Sequence, residues 1–145
     1  MDKIIALGAD HGGYELKESI KEMLSALQGF KVLDLGTFGT ESVDYPEYAF
    51  KTADAVLSGK AFLGILFCGT GVGISITANK VRGIRCAKVN TVFEAQMAKE
   101  HNNANIIALG GRVTPKELAK EIVLAFLNAE FAGGRHAKRL SLIEG

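Results

Sequence analysis

The sequence predicts an α/β protein: a three-layer, doubly wound sandwich built on a five-stranded parallel sheet of order 2-1-3-4-5. Three observations carry this reading. Short apolar runs rich in branched side chains recur along the chain; a segment with helical spacing of apolar residues follows each; and the runs end in loops where glycines sit beside polar groups.

Lys3 to Ala9 (KIIALGA) reads as the first strand and stops at Asp10, His11, Gly12 and Gly13. Tyr14 to Leu27 then places Leu16, Ile20, Met23, Leu24 and Leu27 on one helical face, and Gly29 closes that helix. Lys31 to Leu35 is the second strand. A loop with Gly36, Gly39, Ser42 and Asp44 leads to Tyr45-Pro46, where proline suits a first helical turn, and Glu47 to Leu57 forms the second helix before a stop at Ser58-Gly59. Leu63 to Phe67 is apolar throughout, as a strand covered on both faces must be. Cys68 ends it.

After the glycine loop that follows, a short helix reaches Lys80, and Ile84 to Val89 (IRCAKV) reads as the fourth strand. Thr91 to Glu100 is helical and ends in His101, Asn102 and Asn103. Asn105 to Leu109 is the fifth strand, closed by Gly110-Gly111-Arg112. Thr114-Pro115-Lys116-Glu117 has the pattern of a capping box with proline at the first helical position, which predicts a helix from there to about Phe131. Gly133-Gly134 breaks the chain, and Arg135 to Ile143 has helical character with Arg135 and Arg139 one turn apart. In the order 2-1-3-4-5, strands 1 and 3 are neighbours whose connections leave in opposite directions. The crevice at their carboxyl ends is the expected ligand site, and it joins Asp10 and His11 to Cys68.

At 145 residues and 48% hydrophobic content the chain is expected to form one domain, residues 1–145. A formal charge of +1, from 17 basic and 16 acidic residues mixed along the chain, offers no basic face for nucleic acid. With no signal-peptide pattern before Lys3 and no bilayer-length apolar run, a cytoplasmic protein without membrane partners is expected. Cys68 and Cys86 fit neither a disulfide framework nor a metal site, so both read as thiols.

The chemistry concentrates in Cys68 to Lys80, CGTGVGISITANK. Gly69, Gly71 and Gly73 remove the Cβ atoms that keep a ligand from the backbone, and successive N–H groups can converge on an anion at the following helix. No Gly-Lys-Ser/Thr follows, as a P-loop needs; the spacing is not that of a dinucleotide fingerprint; and no phosphatase-type arginine occurs before Arg82. The loop alone reads as a site for a small anion or an anionic intermediate with a thiol beside it.

Five motifs together, ADHGG (Ala9 to Gly13), DYP (Asp44 to Pro46), CGTGVGISITANK, EHNNAN (from Glu100) and GGRHAKR (Gly133 to Arg139), resemble the ribose-5-phosphate isomerase B family, which also contains galactose-6-phosphate isomerase. The resemblance spans nearly the whole chain. It implies an aldose–ketose isomerase that needs neither metal nor cofactor, working through an enediolate on ribose 5-phosphate and ribulose 5-phosphate in the pentose phosphate pathway. It further implies a homodimer or dimer of dimers with sites at the subunit interface, and places the segment 133–145 there. By the same resemblance Cys68 is the base, His101 and Asp10 open the sugar ring, and Thr70 and Asn102 hydrogen-bond near the oxyanion held by Gly69, Gly71, Val72 and Gly73. Tyr45 lines the sugar, and His11, Arg112, Arg135, His136 and Arg139 hold the phosphate.

On the residues alone, each has another reading. Cys68 fits a small hydrophobe ending a strand, Asp10 a cap, His101 a partner of its own helix's last carbonyls, Arg135 and Arg139 a surface pair, Arg112 a surface residue, and Tyr45 a wall residue. Two other functions therefore stand beside the first. One is isomerisation of galactose or allose 6-phosphate; the other is a non-catalytic phosphate-binding module of flavodoxin-like shape, which would need the glycines and arginines but neither Cys68 nor the Asp10–His101 pair.

Overall fold

In the computed structural model, which describes residues 1–145, strands and helices alternate: β1 (Lys3–Ala9), α1 (Tyr14–Ala26), β2 (Phe30–Asp34), α2 (Tyr45–Leu57), β3 (Leu63–Cys68), α3 (Val72–Asn79), β4 (Cys86–Lys88), α4 (Val92–Glu100), β5 (Ile106–Gly110), α5 (Lys116–Asn128) and α6 (Arg135–Glu144). All strand pairings are parallel. The α/β sandwich is as expected, but the order is β2-β1-β3-β5-β4 instead of 2-1-3-4-5.

Side-chain chemistry explains the exchange of the last two strands. Ile106 to Gly110 are all buried, whereas the three residues of β4 are only half-buried and include Lys88. An uninterrupted apolar strand belongs inside the sheet, and a short strand carrying a charge belongs at its edge. The outer edge of β4 is covered locally: the Asn79 side chain donates to the Cys86 carbonyl and accepts from its N–H, both at 2.8 Å.

Alternation along the strands sorts the core into two layers. Ile5, Leu7, Ile65, Phe67, Ile107 and Leu109 face Leu16, Ile20 and Leu24 of α1, Ala95 and Ala98 of α4, and Ile122, Val123 and Phe126 of α5. Leu66, Cys68, Ile106 and Ala108 face Ala49 and Ala53 of α2 and Ile74 and Ala78 of α3. Because β4 returns inward to β5, the right-handed crossover puts α4 on the α1 side. Each fully buried Leu, Ile or Phe contributes roughly 1.5–3 kcal/mol relative to exposure, so these layers set how the helices sit. The α2 layer is thin. A Cβ on Gly64 would lie 2.7 Å from Thr52 Cγ2, so glycine lets α2 settle onto the sheet.

Two local expectations differ from the structure. Thr114 is buried, and its N–H bonds to the Gly110 carbonyl at 2.9 Å; Pro115 takes the N-cap position with no side-chain cap, and α5 ends at Asn128 instead of near Phe131. A side-chain cap forms instead at α4, where Thr91 Oγ1 accepts from Glu94 N–H (3.0 Å) and Glu94 Oε1 accepts from the N–H of Asn90, one residue before the cap (2.8 Å). No helix is long and apolar enough to cross a membrane.

Candidate active site

Three strand ends meet at the carboxyl edge of the sheet. Beyond β1, Asp10 donates its N–H to the Phe67 carbonyl (3.1 Å); beyond β5, Gly111 and Arg112 donate theirs to the Cys68 and Gly69 carbonyls (2.8 and 2.9 Å). Such close backbone contact requires glycine. A Cβ on Gly12 would lie 2.9 Å from Gly69 N, and one on Gly110 would lie 2.6 Å from Thr70 O. The glycines noted in the sequence thus let three loops touch around one point.

Cys68 lies at the centre of this junction. It is buried, and its Sγ accepts the Gly71 N–H at 3.1 Å. Gly71 adopts φ 82°, a left-handed conformation that turns this N–H back toward the sulfur and starts α3. Thr70 Oγ1 accepts from Val72 N–H (3.1 Å), which leaves its hydroxyl proton to donate elsewhere. The N-terminus of α3 therefore points its partial positive charge at the thiol loop.

Asp10 is buried, and its Oδ1 accepts from Gly12 and Gly13 N–H (2.9 and 3.2 Å). These bonds close the turn before α1 and keep Asp10 beside the Cys68 loop. His11 Nδ1 accepts the Val43 N–H (3.1 Å), so the ring proton of the neutral imidazole is on Nε2. Val43, which the sequence reading missed, fixes that tautomer with a main-chain group, and its side chain carries no signal of this. Tyr45 begins α2 and lays its ring over Gly73, where a Cβ would be 2.7 Å from Tyr45 Cζ. Arg112 reaches back over the loop, with Nη1 2.9 Å from where a Gly69 Cβ would stand. Asp10, His11, Tyr45, Cys68 to Gly73 and Arg112 thus form one cluster.

His101, Asn102, Arg135, His136 and Arg139 do not join it within one chain. His101 follows α4 and precedes β5, so it lies at the amino edge of the sheet, while Cys68 pairs with Gly110 at the carboxyl edge. A strand the length of β3 separates the edges by roughly 17 Å. The remote residues form a second cluster. The His101 and His136 rings stack with centroids 4.1 Å apart and planes 12° apart, and Arg135 and Arg139 share the helix of His136. Desolvation, then the positive charge of His101, Arg135 and Arg139, holds the His136 imidazole below the ordinary histidine range. Burial pushes the Cys86 thiol up to about 12, which keeps it protonated. No three His, Cys, Asp or Glu side chains come together in metal-binding geometry.

Comparison with known proteins gives this geometry its relatives. The Ribose/Galactose Isomerase model matches residues 5–143. Ribose-5-phosphate isomerase B of Escherichia coli is 48% identical over 141 residues, covering 97% of this chain and 94% of that protein. The solved ribose-5-phosphate isomerase B of Clostridium thermocellum superposes with a TM-score of 0.95 at 53% identity, covering 97% of this chain and 95% of that one. That of Mycoplasma genitalium, solved with bound ribulose-5-phosphate, gives 0.93 at 41% identity, covering 99% and 95%. Matched from Ile5 to Ile143 and superposed over nearly its full length, the chain belongs to the ribose/galactose isomerase family.

Proposed function

We propose that this protein is an aldose–ketose isomerase that interconverts ribose 5-phosphate and ribulose 5-phosphate through an enediolate, with Cys68 as the base. The observation that carries the reading is the buried Cys68 thiol, held by a backbone N–H at a helix N-terminus, with Tyr45 and Arg112 over the glycine loop that follows it and Asp10 and His11 at the end of the neighbouring strand. Isomerisation moves one proton from C2 to C1. The Cys68 thiolate takes the C2 proton, the C1 carbonyl oxygen becomes an oxyanion facing the N–H groups of Gly69 to Gly73, a proton passes from the C2 hydroxyl to that oxygen, and the thiol returns the carbon-bound proton to C1 as the C2 carbonyl forms. The Thr70 hydroxyl donates to the same oxygens. Arg112 and the Nε2–H of His11 face the phosphate, where a guanidinium fork suits phosphate oxygens.

The ring-opening His101, with Asn102, and the phosphate ligands Arg135, His136 and Arg139 come from a second copy of the chain. The separation of the two clusters across the sheet supports this, because neither holds the full set of groups the reaction needs. Val72 and Ile76, one turn apart on α3, and Leu142 and Ile143 on α6 are exposed apolar residues beside the two half-sites, as an interface between copies requires. The assembly is a homodimer or a dimer of dimers, each chain acting as a single catalytic domain. Its phosphorylated substrate makes the cytoplasm its compartment.

A second reading, a six-carbon 6-phosphate such as that of galactose or allose, has the family's own range in its favour. A panel of five- and six-carbon aldose phosphates, followed for ketose formation with and without a chelator, tests both. Ribose 5-phosphate is expected to have the highest kcat/KM, unchanged by the chelator. A hexose phosphate preferred tenfold would install the second reading; no ketose from any sugar, with sugar phosphate still bound, would leave only a phosphate-binding module.

A further inference from the structure

Arg85 has no role in the account above, yet its guanidinium joins the two parts of the remote cluster. Nε and Nη2 donate to the main-chain carbonyls of Asn102 and Asn103 (3.0 and 2.9 Å), the two residues after His101. Nη1 donates to Glu144 Oε1 (2.8 Å) in the last turn of α6. We propose that Arg85 is a positioning residue that locks the His101 turn to α6, setting the stacked histidines and the helix of Arg135 and Arg139 as one unit for the neighbouring copy's site. The catalytic consequence rests on the isomerase reading; the geometric one does not.

The attachment of α6 explains the need. Of its side chains only Leu140 is buried, while Leu142 and Ile143 are exposed, so within one chain the helix has little apolar contact to hold it. Gly134, with φ 59° at its N-cap, supplies a bend and no anchor. What remains is polar. The His101–His136 stack holds the start of α6, the Ala132 N–H bonds to the Glu100 carbonyl (2.9 Å) just before it, and Arg85 holds its end, where Arg82 Nη2 adds a longer bond to the Glu144 carbonyl (3.4 Å). Arg85 is itself seated by Asn105, whose Oδ1 accepts the Arg85 N–H (2.8 Å) and whose N–H donates to the Arg85 carbonyl (3.1 Å). Three acceptors lie around the guanidinium group. A lysine ammonium, a point donor on a flexible stem, cannot serve all three in that plane.

The test uses the full-length protein and the variants Arg85→Ala, Arg85→Lys and Glu144→Ala. Histidine ring resonances and the nuclear Overhauser contact between the His101 and His136 rings report the geometry; kcat and KM with ribose 5-phosphate report its consequence. In Arg85→Ala the ring contact is expected to disappear while the circular dichroism spectrum stays native. Both kcat and KM should worsen, lowering kcat/KM about 10- to 100-fold, the scale of losing charge-assisted hydrogen bonds. Arg85→Lys should not rescue it, and millimolar methylguanidinium added to Arg85→Ala should restore part. Glu144→Ala frees only α6, so KM should rise about threefold or more with kcat nearly unchanged. Native ring resonances in Arg85→Ala and Arg85→Lys overturn the positioning claim whatever the reaction; if Arg85→Ala does not fold, Arg85→Lys and Glu144→Ala decide it by the same readouts. Displaced rings with unchanged kcat and KM overturn instead the roles given to His101 and α6.

Discussion

Gly110→Ala tests whether the close meeting of three loops is what organises the Cys68 site. A methyl at position 110 would stand 2.6 Å from the Thr70 carbonyl oxygen and 2.7 Å from its carbon, while ordinary contact begins at 3.4 Å. The loop bearing Thr70 must therefore move away from β5 by at least the difference between 3.4 and 2.6, or 0.8 Å. The obstacle is backbone, so no rotamer change can relieve it. Overpacking of this kind costs about 1–3 kcal/mol of stability. A displacement approaching 1 Å at reacting groups costs on the order of 100-fold in rate, so kcat/KM should fall about 10- to 100-fold. Urea denaturation gives the first figure, and initial rates with ribose 5-phosphate give the second. Gly39→Ala is the control, because nothing lies within 4 Å of its added methyl, and it should be neutral. A Gly110→Ala enzyme within twofold of wild-type kcat/KM would refute the reasoning.

Two further predictions concern the scaffold. Lys17 is fully buried against Asp34, whose oxygens it meets at 2.8 Å, so Asp34→Asn strips a buried ammonium of its main partner and should cost about 3 kcal/mol at pH 7, measured by urea denaturation. Burial raises the Asp34 carboxyl, but hydrogen bonds from Lys17, the Gly36 N–H and Lys21 outweigh it and hold it below the ordinary range. A depressed carboxyl stabilises the fold above its unfolded value and loses that contribution as pH falls through the folded one. The gap between wild type and Asp34→Asn should thus narrow below about pH 4; a constant gap from pH 7 to 3 would contradict the pairing. Thr52 Oγ1 is buried without a hydrogen-bond partner, so Thr52→Val should be neutral or raise stability by about 1 kcal/mol; a loss above that would reveal a partner for the hydroxyl.

The glycines after Cys68, and Asp10 and His11 at the end of an apolar run, show in the sequence because close backbone approach and strand ends leave local marks. The strand order does not follow from the winding alone. Arg85 and Lys88 interrupt the fourth apolar run while Ile106 to Leu109 is unbroken, and that contrast marks β4 as the edge. Thr114 shows the limit of motif reading: a buried turn takes its N–H, and the side-chain cap forms at Thr91, with Glu94 holding the Asn90 N–H before it. The position of His101 was legible in topology. A residue between a helix and the next parallel strand lies at the amino edge, so it cannot face Cys68 in the same chain. The Arg85 contacts to Asn102, Asn103 and Glu144 are long-range and depend on α6 folding back, which no local pattern records.

The proposed isomerase depends on Cys68 to move a carbon-bound proton. The most direct measurement is proton NMR of ribose 5-phosphate in deuterium oxide with wild-type enzyme, Cys68→Ala and Cys86→Ala. The wild-type and Cys86→Ala enzymes should convert the aldose to ribulose 5-phosphate with solvent deuterium appearing at C1. Cys68→Ala, folded and still binding the sugar phosphate, should show neither conversion nor exchange; conversion and exchange at wild-type rates in that variant would contradict the account.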